Sequence, residues 1–147
     1  MCKSLVIGYG NSLRNDDAIG SQVAEIVATW GLAGVRSLAL PQLTPELATD
    51  LAQVDLAIFV DACPILMTNK VKLISLQPLD YQEIQSHFSQ PSTLLALTQT
   101  LYKKCPKAWW LIVPGVNFAL GDSLSSVAQQ GITQALIEIK NLLSTVK

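Results

Sequence analysis

The sequence is poor in charged residues, and the few charges it has nearly cancel. Only 14% of its 147 residues are Asp, Glu, Lys or Arg, and the formal net charge is −1. A chain of this kind lacks the basic surface that binds nucleic acid or anionic lipid. Half of the residues are apolar, which excludes the composition of a disordered protein. We therefore expect one folded domain, residues 1–147, with no nucleic-acid or membrane partner.

Cysteine and histidine are also scarce. An odd number of cysteines without a CxxC pair (Cys2, Cys63 and Cys105) indicates reduced thiols rather than a disulfide framework. One histidine and scattered cysteines argue against a structural zinc site. No apolar run reaches the roughly 18 residues that a membrane helix needs, and the N-terminal residues lack the layout of a signal peptide. We expect a cytoplasmic protein.

The apolar pattern alternates between strands and helices. It predicts five strands, at Lys3–Tyr9, Val35–Leu40, Leu56–Val60, Val71–Leu76 and Ala108–Val113. It predicts helices at Asp17–Trp30, from Pro45 to about Gln53 with Thr44 as the cap, and at Pro91–Tyr102. A C-terminal helix carries apolar residues at 3.5-residue spacing: Ile132, Leu136, Ile139, Leu143 and Val146.

This alternation predicts an α/β three-layer sandwich, with a five-stranded, mostly parallel sheet and helices on both faces. One connection differs from the rest. Only Ala62–Lys70 separates the third and fourth strands, whereas a parallel crossover needs about a dozen residues. We therefore predict a mixed sheet in which strand four is antiparallel.

The first strand ends in a glycine-rich segment, Gly8-Tyr9-Gly10-Asn11-Ser12-Leu13. It suggests a dinucleotide-binding loop, but the third glycine of that motif is replaced by Leu13. Dinucleotide-binding folds have an acidic residue after strand two that binds the ribose, and no acidic residue follows strand two here. Asp16 and Asp17 also place negative charge where a pyrophosphate would bind. Nucleotide binding remains only a weaker alternative.

Two aspartates are predicted to converge. Asp61 follows the apolar third strand, and in open α/β sheets ligands bind outside the carboxyl ends of the strands. If strands one and three are neighbours, the loop that carries Asp17 faces Asp61 across one crevice. Structural roles are the alternatives: Asp16 or Asp17 as a helix cap, and Asp61 as a turn residue.

His87 is the only histidine. A histidine in a polar loop is by itself more typical of a solvated residue than of a ligand. With two carboxylates, however, an imidazole can hold a divalent metal that keeps open coordination positions and polarises a carbonyl or activates water. A Cys63–His87 nucleophile pair is less favoured because no third orienting group is evident, and Ser12 lacks a GxSxG elbow.

Three segments together resemble the [NiFe] hydrogenase maturation endopeptidases. Their order and spacing match that family's blocks: Gly8-x-Gly10-Asn11-x-Leu13-x-x-Asp16-Asp17-x-x-Gly20, Ile58-Phe59-Val60-Asp61-Ala62, and His87-x-x-x-Pro91-x-x-Leu94-Leu95-x-Leu97. The resemblance implies a peptidase that removes the C-terminal extension of the nickel-loaded large-subunit precursor. It implies that Asp17, Asp61 and His87 are the catalytic and metal-contacting residues, and that the substrate supplies the nickel. We expect a monomer with the precursor as its partner.

Two further segments, Gln42–Ala48 and Lys107–Trp110, are similar to the branch serving cytoplasmic bidirectional, NAD(P)-linked hydrogenases. Two positions depart from the pattern. Ala18 replaces a glycine common after the acidic pair, and Pro41 replaces a histidine of that branch, which puts a substrate contact there in question. The main alternative is a non-catalytic, nickel-sensing or chaperone-like module that binds the same precursor.

Overall fold

The structure is a computed structural model that describes residues 3–66, 69–78 and 90–145. Its strands are β1 (Ser4–Tyr9), β2 (Val35–Leu40), β3 (Leu56–Pro64), β4 (Lys72–Leu76) and β5 (Lys107–Gly115). Its helices are α1 (Ile19–Thr29), α2 (Leu47–Leu51), α3 (Pro91–Tyr102) and α4 (Ser126–Ser144), and a 3-10 turn, Asn15–Ala18, precedes α1. None of the helices in these described ranges is long and apolar enough to cross a bilayer.

The five strands form one mixed sheet in the order β2-β1-β3-β5-β4. All neighbouring pairs are parallel except β4 and β5, which are antiparallel. The predicted mixed sheet and the antiparallel fourth strand are therefore confirmed. Strands β1 and β3 are direct neighbours, as the convergence of Asp17 and Asp61 requires.

Two apolar layers cover the faces of the sheet, which confirms the predicted three-layer sandwich. Alternate strand residues such as Ile7 and Phe59 pack against α2 and α3; we call this side the α3 layer. The intervening residues, such as Val6 and Ile58, pack against α1 and α4; this side is the α4 layer. Side chains alternate along a strand, so Tyr9, Asp61 and Trp110 belong to the α3 layer.

Strand β3 is longer than its apolar run predicts. The prediction that it ends at Val60 is wrong, because β3 continues to Pro64 and Asp61 pairs with Ile112 inside the parallel ladder. Strand β5 likewise extends to Gly115. Each strand supplies the hydrogen-bond partners that prolong the other, and a hydrophobicity pattern does not report such pairing.

Two predicted helix starts also differ from the structure. The segment before α1 forms the 3-10 turn, so α1 begins at Ile19 rather than Asp17. Helix α2 is only five residues long and begins at Leu47, two residues after Pro45. The amides of Leu47 and Ala48 bond carbonyls three residues back, at Thr44 and Pro45, so tight turns replace the predicted first helical turn.

Two glycines bring α1 unusually close to the sheet. A Cβ on Gly8 would strike the backbone carbonyl of Gly20, and a Cβ on Gly20 would strike the carbonyls of Tyr9 and Val60. The start of α1 therefore lies directly on Tyr9 at the end of β1 and on Val60 in the middle of β3. This close approach, rather than phosphate binding, explains these two glycines of the first block.

We predict that Gly20→Ala lowers the free energy of unfolding by about 2 kcal/mol or more, because the surrounding backbone cannot move away from the new methyl group. Gly31→Ala is the control. Gly31 has φ +59 but open space around it, so we expect only the conformational cost of about 1 kcal/mol. Urea denaturation measures both. Equal losses would contradict the close-packing explanation.

Candidate active site

Asp17 stands where β1 passes into α1. It lies on the 3-10 turn, half-buried, and its Oδ2 accepts a hydrogen bond of 2.7 Å from the amide of Asn11. Gly10 makes this turn possible, because its φ is +149 and a Cβ there would strike the carbonyl of Asp17. The glycine loop therefore fixes the position of the Asp17 carboxylate.

Asp61 lies on β3 and interacts with Asp17. Burial raises its pKa to about 7, the amide of Ala62 opposes the increase, the negative charge of Asp17 adds to it, and the hydroxyl of Tyr9 opposes it. Asp17 and Asp61 are therefore close enough to interact electrostatically. The structure brings together these two residues, as the predicted order of β1 and β3 implied.

His87, the third residue of the predicted site, lies outside the described residues. Within residues 3–66, 69–78 and 90–145, no three His, Cys, Asp or Glu side chains form a group that could hold a metal ion. The described residues therefore offer at most the carboxylates of Asp17 and Asp61 to a metal ion, which is fewer than such a group of three.

Asp16 has a purely structural role. Its side chain is fully buried, and its carboxylate accepts hydrogen bonds from the amides of Val116 (2.8 Å), Asn117 (3.2 Å) and Ser125 (2.8 Å), and from the Ser125 hydroxyl (2.7 Å). Burial alone would raise the pKa of Asp16, but the hydrogen bonds from Ser125, Val116 and Asn117 hold it below its ordinary value. Through these hydrogen bonds, Asp16 connects the turn before α1 to the loop between β5 and α4.

The helix-capping explanation for the two aspartates is wrong for α1. The cap position of α1 is Ala18, with no side-chain hydrogen bond. Ser125 instead caps α4, accepting from the amide of Ala128, and Asp16 holds Ser125 in place. This contact could not be predicted from local sequence patterns, because the two partners are 109 residues apart.

Ala18, one of the two departures from the family pattern, causes no backbone strain. Its φ of −74 and ψ of −6 lie in a region open to any residue. A glycine is therefore not required at this position. Pro41, the other departure, lines a surface cavity of about 330 Å³ beside the glycine loop, together with Gly10, Leu13 and Leu40.

Cys63 is a poor nucleophile in this setting. It is half-buried on β3, and burial raises the pKa of its thiol, as does the negative charge of Asp61, against a smaller opposing effect of Lys72. Reactive cysteines need the reverse, a surrounding that favours the thiolate. The geometry therefore argues against the Cys63–His87 alternative.

The glycine loop is also unsuited to phosphate binding. The amide of Asn11, a donor that such a loop would offer to a phosphate, already binds the Asp17 carboxylate. A phosphate placed there would also face the negative charges of Asp17 and Asp61. These two observations argue against the nucleotide-binding alternative.

Tyr9 and Trp110 are the residues near the site that the sequence did not single out for chemistry. Tyr9 is buried on the α3 layer, and its hydroxyl approaches the Asp61 carboxyl. Burial, together with the charge of Asp61, raises the pKa of the Tyr9 phenol far above its ordinary value, although the indole of Trp110 opposes this. The phenol thus stays protonated and can donate a hydrogen bond. The alternation of β1 could have placed Tyr9 beside Asp61.

The fold of this chain is similar to the folds of several solved structures. The chain is similar to the hydrogenase maturating endopeptidase HybD from E. coli, with 21% identity, a TM-score of 0.76, and coverage of 97% of this chain and 93% of that one. It is similar to the [NiFe] hydrogenase maturation protease HybD from Thermococcus kodakarensis, with 20% identity, a TM-score of 0.73, and 99% of each chain covered. The fold is that of the [NiFe] hydrogenase maturation endopeptidases.

A third solved structure, the [NiFe] hydrogenase maturation protease HycI from Thermococcus kodakarensis KOD1, has 18% identity and a TM-score of 0.72, covering 97% of this chain and 92% of that one. At the level of sequence, no protein-family model and no curated protein matches the chain. Fold similarity at such identities leaves the chemistry to be argued from the site itself.

We predict that Asp16→Asn lowers the free energy of unfolding by about 3 kcal/mol or more. An amide group in place of one carboxylate oxygen would face backbone N–H groups and leave buried donors unpaired. Asp17→Asn is the matched control and should cost about 1 kcal/mol or less, since its side chain is partly exposed and has a single partner. Chemical denaturation measures the loss of stability in both variants. Equal losses would refute the structural role of Asp16.

We predict that Asp61→Asn becomes more stable relative to the unmodified protein as the pH rises from 4 to 8. A carboxyl group whose pKa is raised by folding stabilises the fold in its protonated form. This stabilisation is lost as the pH rises from about 4 to about 7, stays lost above pH 7, and does not change with pH below pH 4. A pKa of about 7 in place of 3.8 corresponds to at most about 4 kcal/mol. Thermal unfolding of the metal-free proteins across this range measures it; a pH-independent difference would contradict the prediction.

Proposed function

We propose that this protein is an endopeptidase that removes the C-terminal extension from the nickel-loaded large-subunit precursor of a [NiFe] hydrogenase. The observation that carries the proposal is that Asp17 and Asp61 interact electrostatically in this fold. Asp17 lies on the turn that follows β1, and Asp61 lies in the carboxyl-terminal half of β3; α/β sheets bind ligands on this side, beyond the carboxyl ends of their strands. His87 is proposed as the third member of the site.

The direction of α3 supports the proposal for His87. The last turn of α3 lies near the amino end of β5, where Gln99 lines a cavity with Lys107. A helix of 12 residues is about 18 Å long, and we propose that α3 runs antiparallel to β5, so that Pro91 lies towards the carboxyl ends of the strands. His87 precedes Pro91 by four residues in the sequence.

The two carboxylates suit different tasks. Asp61, with a pKa of about 7, can take a proton from an attacking water and return it to the leaving amine at neutral pH. Asp17 is fixed by the glycine loop and presents its remaining oxygen lone pairs to the crevice as an oxygen donor. Nickel that arrives with the precursor would be recognised by these oxygens and would polarise the scissile carbonyl.

The cavity beside the glycine loop is proposed to accept a side chain of the substrate. Leu13, Leu40 and Pro41 give it a largely apolar wall, and it adjoins the segment that holds Asp17. Pro41 would supply shape and apolar contact rather than the polar contact of a histidine. With the two segments that resemble the NAD(P)-linked branch, we propose a cytoplasmic hydrogenase of that class as the source of the precursor.

We predict that the purified protein shortens the nickel-loaded precursor at its C-terminus, and that Asp17→Asn and Asp61→Asn each reduce the rate at least about 100-fold, as for the loss of a general acid–base group. Mass spectrometry of the precursor measures the cleavage. Glu138→Gln, a matched acidic-to-amide change on α4, should cleave at the unmodified rate.

Three outcomes would decide between the alternatives. Cleavage by an Asp17→Asn, Asp61→Asn double variant would refute the proposed site. A stable, nickel-dependent complex without any cleavage would favour the non-catalytic binding module. If NAD(H) or ATP raised the melting temperature and the precursor did not, the nucleotide-binding alternative would be favoured.

A further inference from the structure

One buried polar atom beside the candidate site has no hydrogen-bond partner. The indole Nε1 of Trp110, on β5, is shielded from solvent and unpartnered within the described part of the chain. An indole N–H can only donate, and a buried donor left unpaired destabilises the folded state. Such a group in a well-packed layer calls for a functional explanation.

The Tyr9 hydroxyl is a polar group of the same layer that interacts with Trp110. Trp110 approaches it as a donor, although the geometry stops short of a formed hydrogen bond. The Tyr9 hydroxyl in turn approaches the carboxyl of Asp61. The strand register supports this arrangement, because Gly8 pairs with Val60 and the next residues, Tyr9 and Asp61, therefore adjoin on the α3 layer.

When Asp61 is ionised, the donors and acceptors in this row allow one direction only. Trp110 donates to the Tyr9 oxygen, which leaves the Tyr9 proton to point at Asp61. A carboxylate oxygen that accepts this proton is turned towards the layer, so the other oxygen faces the crevice. Hydrogen bonds of this kind are often long in an empty site and shorten when a ligand is bound.

We propose that Tyr9 is a positioning residue that orients the Asp61 carboxylate towards the crevice, with Trp110 holding the Tyr9 hydroxyl in its donating orientation. The proposal rests on the proposed function for its catalytic consequence, but the hydrogen-bonded row itself can be tested without substrate. Partners of this kind around a ligating group fix its orientation and are worth about 10–100-fold in affinity or activity.

The first test is an NMR measurement on the metal-free protein. The chain has three tryptophans, Trp30, Trp109 and Trp110, and Trp110→Phe identifies the indole N–H signal of Trp110. We expect Asp61→Asn to shift the Trp110 indole signal when Tyr9 is present. In a Tyr9→Phe background, the same substitution should leave that signal unchanged. The signals of Trp30 and Trp109 should not respond. An equal movement with and without the Tyr9 hydroxyl, or no movement, would overturn the proposal.

The second test is the cleavage of the nickel-loaded precursor. We expect Tyr9→Phe to lower kcat by about 10–100-fold while KM stays unchanged, because Tyr9 orients a catalytic group and does not contact the substrate. Tyr102→Phe is the matched control: Tyr102 is exposed and bonds Thr49 at the opposite end of α3. Trp109→Phe is the control for Trp110→Phe, since Trp109 packs in the α4 layer.

The two tests fail separately. Absence of cleavage by the unmodified protein would refute the proposed function, while the indole signal would still decide whether Trp110, Tyr9 and Asp61 form one row. Cleavage by Tyr9→Phe at the rate of Tyr102→Phe would overturn the positioning role even if the protein is the proposed peptidase.

Discussion

The start of α1 lies directly on the backbone at the end of β1 and in the middle of β3, and the candidate site depends on this contact. No side chain fits between Gly20 and the carbonyls of Tyr9 and Val60. The contact places Asp17, three residues before Gly20, beside the two strands that carry Tyr9 and Asp61. Backbone packing therefore determines which side chains lie close together, and it holds the Asp17 and Asp61 carboxylates near enough to interact.

The second constraint is the buried Asp16 carboxylate, which joins the turn before α1 to the loop before α4. Adjacent aspartates thus have opposite tasks. Asp16 satisfies three backbone N–H groups and a hydroxyl inside the protein, and holds a charge there because all its oxygens are paired. Asp17 keeps oxygen lone pairs free for the crevice. The rigidity that Asp16 supplies allows Asp17 to hold a fixed position, which a site for a metal-loaded substrate requires.

Much of the architecture could be predicted from local patterns. The short Ala62–Lys70 connection correctly predicted the antiparallel β4, and the alternation of strands and helices correctly predicted the layers. The pairing of β1 with β3, on which the meeting of Asp17 and Asp61 depends, was assumed from topology and is observed. The length of β3 was not predictable, because its end is determined by pairing with β5. The role of Asp16 was not predictable either, since Ser125 is distant in the sequence.

The central claim is that Asp17 and Asp61 form one site together with His87. A crystal structure of the protein soaked with a divalent cation such as nickel or cadmium tests it most directly. The account predicts one cation bound by a carboxylate oxygen of Asp17, a carboxylate oxygen of Asp61 and an imidazole nitrogen of His87, at distances of about 2.0–2.4 Å. A cation that binds elsewhere, or that contacts Asp61 without Asp17 and His87, would contradict the account.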